Sequence, residues 1–224
     1  MAPARIHHHP ADELLLSLAA GAMPVGLRLV MQTHLELCSA CRAREMALRA
    51  VGGVLLEEQP AAPLRGDALV RVLGRIDSLE AEPSAAAAPR KLTSPPPLPA
   101  GAVWPRALAH CTPTRWRWIG PGMRWSRVMV PSDPDANVFL LRIGAGKYLP
   151  QHTHRGVEMT QIIYGRFHDG RALFGPGDFD VADADINHQP VVQDGGECIC
   201  VAAVEGRLMF DGLIARWLGA LVGM

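Results

Sequence analysis

Residues 80–101 read EAEPSAAAAPRKLTSPPPLPAG, and no helix or strand can run through them. Proline lacks the amide hydrogen that both elements use, and it pushes the residue before it into extended backbone. The stretch has no periodic apolar pattern, so it reads as an extended, semi-stiff spacer. Structureless runs of this length are uncommon inside a compact domain. The chain has 224 residues, enough for one large or two small domains. We expect a first domain over 1–80, a Pro/Ala-rich linker over 81–101, and a second domain over 102–224.

The two sides of the linker follow different periods. ADELLLSLAAGAM places Leu14, Leu15, Leu18, Ala19 and Ala22 on one helical face, with Asp12 and Glu13 at its positive end. VGLRLVMQTHLEL does the same with Leu27, Val30, Met31 and Leu35. SACRAREMALRAVGGVLLEE can start from Ser39 as N-cap, and GDALVRVLGRIDSLE aligns Leu69, Val72, Leu73, Ile76 and Leu79. Beyond the linker, short runs such as RWRWIG, WSRVMV, NVFLLRI, EMTQIIYG and CICVAAV stand between Gly, Pro, Asp and Asn. They predict an antiparallel sandwich or barrel, with LIARWLGALVGM packing on it as a terminal helix or strand. The expected fold class is α+β in two domains, a small all-α unit followed by an antiparallel β-barrel.

Charge narrows the function. Lys plus Arg number 22 and Asp plus Glu number 22, so the chain lacks the basic footprint of a protein that binds nucleic acid directly. No apolar stretch reaches the roughly 18 residues that would suggest a membrane span. The N-terminus shows no apolar signal segment. With an odd number of cysteines, 5, two of them in a tight CxxC, the expectation is a cytosolic protein whose thiols bind metal or do redox work.

That CxxC belongs to THLELCSACRAR, which reads His34-x3-Cys38-x2-Cys41. Residues three and four apart share a helix face, so the three side chains can converge along one helix or across a tight corner. Zinc in a structural site takes four such N and S ligands. The His7–His9 run is the nearest source of the fourth. A thioredoxin-like redox pair would need a βαβ context that is missing. A DNA-reading finger would need a second ligand pair and a basic recognition helix.

An N-terminal His followed by His-x3-Cys-x2-Cys between short helices resembles the zinc-binding anti-sigma domains. HHPADELLLSLAAG together with THLELCSACRAREMALRAVGGVLLEE looks like the ChrR type, which continues into a cupin. The resemblance implies His9 as the fourth zinc ligand beside His34, Cys38 and Cys41, with His8 as the runner-up.

The second half carries Gly146-x5-His152-x-His154-x3-Glu158-x6-Gly165. His152 and His154 share a strand face, and a carboxylate four residues on can join them at a barrel mouth. This pattern is similar to the first cupin motif at every signature position, and implies a jelly-roll cupin. The second motif, FGPGDFDVADADINHQP, supplies Gly177, Asp178 and the fourth ligand, His188. It departs from the cupin pattern at Asp183, Asp185 and Val192. Three His and one carboxylate suit Zn²⁺, Mn²⁺, Fe²⁺ or Ni²⁺, and the ChrR likeness implies zinc. His110 and His168 read as surface histidines. Cys198 and Cys200 share a strand face, either as packed small hydrophobes or as a thiol pair open to oxidation.

The resemblance covers nearly the whole chain. It implies a non-enzymatic, cytoplasmic anti-sigma factor that inhibits an extracytoplasmic-function sigma factor and answers oxidant, singlet oxygen above all, through the cupin. Leu69, Val72, Leu73 and Ile76 are the candidate partner-binding face. The alternatives are a metal-dependent cupin dioxygenase or isomerase, and a small-molecule-binding cupin, each with an accessory zinc domain.

Overall fold

Four helices form where the apolar period asks for them: α1 (Asp12–Ala19), α2 (Val25–Leu37), α3 (Ser39–Glu57) and α4 (Ala68–Ala81). The computed structural model describes residues 5–81, 96–206 and 208–210, so most of the linker and the stretch LIARWLGALVGM lie outside the described residues. The first helix is shorter than its apolar face suggests, and Ala22 lies beyond it. Gly21 takes φ +70°; its amide donates to the Leu18 carbonyl and that of Ala22 to Ser17, each at 3.0 Å. This is a Schellman stop, which a glycine makes at no steric cost. Cys38, in extended backbone at φ −97°, ends α2 and caps α3. The cap is therefore this cysteine rather than Ser39, because the Cys38 sulfur accepts from the Cys41 amide at 3.4 Å.

The strands are β1 (Thr112–Pro113), β2 (Arg117–Gly120), β3 (Met123–Met129), β4 (Val138–Ile143), β5 (His152–His154), β6 (Val157–Tyr164), β7 (Phe167–His168), β8 (Leu173–Phe174), β9 (Phe179–Ala182), β10 (Val191–Val192), β11 (Cys198–Glu205) and β12 (Leu208–Phe210). The large sheet runs β1-β3-β4-β11-β6-β9, with β2 also on β3; β10-β7-β8 and β12-β5 form smaller sheets. Every ladder is antiparallel. This is the expected cupin jelly roll, with the sheet left open rather than closed into a barrel. The motif glycine Gly165 has φ +74°, and a Cβ there would sit 2.0 Å from the Glu197 carbonyl oxygen. The β6–β7 turn therefore admits only glycine.

The helices do not stand apart from the β half. Leu15, Leu18, Leu27, Val30 and Met31 share one apolar cluster with Val128, Val138, Leu140, Met159, Phe179, Val201 and Ala203. Helix α2 lies on β6 and β11, while α1 packs on α3. Period two sorts β6 into faces. Glu158, Thr160 and Ile162 face the jelly-roll interior; Met159, Gln161 and Ile163 face α2. From α2, Glu36 accepts the backbone amide of Arg106 at 2.9 Å, tying the helix to the first turn of the β half.

Gly26 lets α2 lie close on the sheet: a Cβ there would lie 3.3 Å from Val138 Cγ2 and 3.6 Å from Ala203 Cβ. Gly26→Val will lower stability by about 1–3 kcal/mol through overpacking. Gly26→Ala will come out near neutral, because its gain in helix propensity, about 1 kcal/mol, offsets a smaller clash. Urea denaturation of both variants checks the contrast.

Helix α4 differs from the other three. None of its described side chains joins an apolar cluster. Leu69, Val72, Leu73 and Ile76 are 70%, 55%, 51% and 48% exposed. The Leu79 side chain lies outside the described residues.

Candidate metal centres

The corner between α2 and α3 carries the first centre. One ligand atom each from His9, His34, Cys38 and Cys41 lies within 4.8 Å of the other three. His9 Nδ1 stands 3.4 Å from both Cys38 Sγ and Cys41 Sγ. Metal–ligand distances of about 2.0 and 2.3 Å at a tetrahedral angle give an N···S edge of about 3.6 Å. His34 Nδ1 donates to Gln161 Oε1 at 3.0 Å and to the Gly177 carbonyl at 3.1 Å. Both partners are acceptors, so Nδ1 carries the proton and Nε2 keeps its lone pair. That Nε2 is buried and has no hydrogen-bond partner. Two thiols, two imidazoles and an orphaned buried nitrogen fit a closed tetrahedral metal site.

His9 lies on no regular element. The backbone amides of His7 and His8 donate to Asp178 Oδ1 at 2.6 and 3.0 Å, and the Phe179 amide donates to the His8 carbonyl at 3.1 Å. His8 itself turns away and packs its ring 4.6 Å from that of Phe174. Burial, with Cys38 adjacent, pushes the Cys41 thiol up to about 12. Burial also lowers the pKa of His34, which favours the neutral, ligating imidazole.

The second centre lies inside the jelly roll. His152 and His154 project from β5, Glu158 from β6, and His188 from the loop between β9 and β10. One ligand atom from each lies within 4.8 Å of the others. His188 pairs with His152 through reciprocal backbone bonds of 3.1 and 3.0 Å. His152 Nδ1 donates to the Pro150 carbonyl at 2.8 Å, which turns Nε2 toward the group. Nε2 of His188 is 3.1 Å from that of His152 and 3.4 Å from that of His154; His154 Nε2 is 3.2 Å from Glu158 Oε2. Ligands about 2.1 Å from one ion sit about 3.0 Å apart in an octahedron and 3.4 Å in a tetrahedron. The set fits a divalent cation of either geometry. Burial draws the His154 pKa down to about 4. Burial resists ionisation of Glu158, but its neighbours His152, His154 and His188 outweigh it and hold the carboxyl below its ordinary range.

Three charged residues behind His188 escaped the sequence reading. Asp169 Oδ2 stands 3.7 Å from His188 Nδ1. Arg171 pairs with Asp169 and, at 2.8 Å, with Asp180. Burial raises Asp180 to about 6. Only the folding of β7 to β9 brings these groups together, and their spacing in the chain carries no signal of it.

Cys198 and Cys200 are buried free thiols on β11. With Glu158, His152 and His188 they line a cavity of about 30 Å³. Burial pushes Cys198 up to about 12 and Cys200 well above its ordinary value, so both stay protonated at neutral pH. His110 and His168 are exposed, as expected.

Fold and sites together define a cupin joined to a helical module, each with its own cluster of metal-ligating side chains. A family model described as the ChrR cupin-like domain matches residues 105–205. The anti-sigma-E factor ChrR of Cereibacter sphaeroides is 37% identical over 211 residues, covering 94% of this chain and 95% of that protein. The crystal structure of Rhodobacter sphaeroides SigE in complex with the anti-sigma ChrR matches with a TM-score of 0.67 and 35% identity, covering 90% of this chain and 100% of that one. The chain belongs to the ChrR family of anti-sigma factors. Among the described residues, no helix is long and apolar enough to cross a membrane.

Proposed function

We propose that this chain is a cytoplasmic anti-sigma factor that binds an extracytoplasmic-function sigma factor and keeps it from RNA polymerase. Residues 1–80 hold the partner, residues 81–101 connect, and residues 102–224 read an oxidant, singlet oxygen being the first candidate. Zn²⁺ on His9, His34, Cys38 and Cys41 fixes the corner between α2 and α3. A divalent metal, zinc before Mn²⁺, Fe²⁺ or Ni²⁺, sits on His152, His154, Glu158 and His188. Cys198 and Cys200 border the same cavity as candidate targets of oxidation.

The observation that carries this reading is α4, a helix whose apolar residues Leu69, Val72, Leu73 and Ile76 face solvent. A monomer gains nothing from such a stripe, whereas a partner groove buries it at i, i+3, i+4 and i+7. The cavity beside the cupin ligands, about 30 Å³, holds about one water-sized molecule. That leaves no room for the organic substrate of a dioxygenase.

The test is co-purification with the sigma factor of the same genome, followed by sigma-dependent transcription in vitro. Leu73→Glu and Ile76→Glu will each weaken binding at least about tenfold, the scale of a desolvated interface anchor. Their melting curves will stay close to wild type, because both positions are exposed. Undiminished binding by the double variant counts against α4 as the contact.

A further inference from the structure

The first metal centre does not belong to the helices alone. Of its four ligand residues, His34 has both acceptors for its Nδ1 proton in the β half: Gln161 Oε1 at 3.0 Å and the Gly177 carbonyl at 3.1 Å. Gln161 is fully buried. Its amide nitrogen donates to the Ile162 carbonyl at 3.1 Å, which leaves the oxygen for His34. Gln161 stands on β6 three residues after Glu158, so one strand presents a cupin ligand on its inner face and the partner of a helical-site ligand on its outer face. The segment bearing His9 is likewise fastened to Asp178, next to Gly177.

We propose that Gln161 is a positioning residue for the Cys38–Cys41 metal centre and that β6 links the two centres through it. This rests on the metal-held corner proposed above. A metal-bound imidazole depends on the acceptor at its other nitrogen, which fixes tautomer and ring orientation and raises ligand basicity. Here that acceptor comes from the opposite half of the molecule. A displacement of β6 that starts at Glu158 moves the Gln161 amide and reaches His34 without passing through the linker.

The full-length protein loaded with Co²⁺ gives the readout. Only the first centre has thiolate ligands, so the thiolate-to-cobalt charge-transfer band reports it alone, and competition with a chelator gives its affinity. Gln161→Met keeps the volume and removes the acceptor; it will weaken binding about 10- to 100-fold and shift the band. Gln161→Glu keeps an acceptor and will restore binding to at least the wild-type level, which a space-filling role for Gln161 does not predict. In a cycle with Glu158→Gln, the two losses will be non-additive.

Equal affinity and identical bands in wild type, Gln161→Met and Gln161→Glu overturn the positioning role. Additive losses in the cycle overturn the link through β6. A wild-type protein without a thiolate–cobalt band overturns the metal-held corner itself and this inference with it. Failure to bind the sigma factor, measured separately, touches neither metal result.

Discussion

Cys38→Ala or Cys41→Ala will cost the protein both its first metal and its inhibition of the sigma factor. Cys38 does two jobs. It caps α3 through its sulfur, and it supplies one side of a site whose His9 nitrogen lies 3.4 Å from each thiol. Without the metal, the Cys41 thiol is driven up to about 12 by burial, so the empty site holds a proton where the bound site holds a thiolate. Structural zinc in comparable small modules contributes about 10–16 kcal/mol at neutral pH, far more than the local contacts of the α2–α3 corner can replace. Metal content by mass spectrometry and repression in a sigma-dependent transcription assay are the two measurements. A folded, metal-free, fully repressing Cys38→Ala protein would sink the structural role.

The same chemistry sets a direction with pH. Binding turns two thiols into thiolates and so releases up to two protons, and acid therefore opposes it. With up to two protons displaced per metal, affinity will fall by up to about hundredfold per pH unit as pH drops. Zinc competition at several pH values gives the slope. A flat profile would mean that the thiols do not ligate.

His152→Ala, His154→Ala and Glu158→Ala should leave repression in place and reduce induction by photosensitised oxidant to near the uninduced level. Each removes a candidate ligand from the interior of the jelly roll, while α2, which leads into the Cys38–Cys41 corner, packs on the outer face of β6 and β11. A signal releases a partner only by favouring the unbound conformation, and a sensor without its metal has no such preference to express. Sigma-dependent transcription with and without the sensitiser, in wild type and each variant, decides it. Normal induction in all three would remove the second centre from the sensor. Constitutive transcription in all three would make the β half part of the inhibitory fold, a result that the shared core and the Gln161 contact would explain.

The local rules were legible in the sequence. Apolar period set the four helices, and the stretch VGLRLVMQTHLEL coincides with α2, residues 25–37, which Pro24 and Cys38 bound in the structure. The reading overran α1, since a small apolar residue after Gly21 resembles one more helical position until the glycine takes its positive φ. Six of the eight candidate ligands were readable because metal chemistry needs particular atoms at particular spacings, whether along a helix, across a corner or on one strand face. His9 and His188 were the exceptions: likeness to a family chose them, and in space the amides of His7 and His8 donate to Asp178 Oδ1 and fasten the segment that carries His9.

What the tertiary structure alone decided was the relation between the halves. A proline-rich spacer says that no regular element continues through it. It says nothing about whether the elements at its ends touch. Gly26 against Val138 and Ala203, Glu36 on the Arg106 amide, and Gln161 on His34 are contacts between residues tens of positions or more apart in the chain. Periodicity reports which face of α2 and of β6 is apolar, but it does not report that these two faces are each other's partners. Gln161 made this hardest to foresee. A glutamine in a strand is ordinary until its oxygen meets the one ring proton that a metal-binding histidine has left to give.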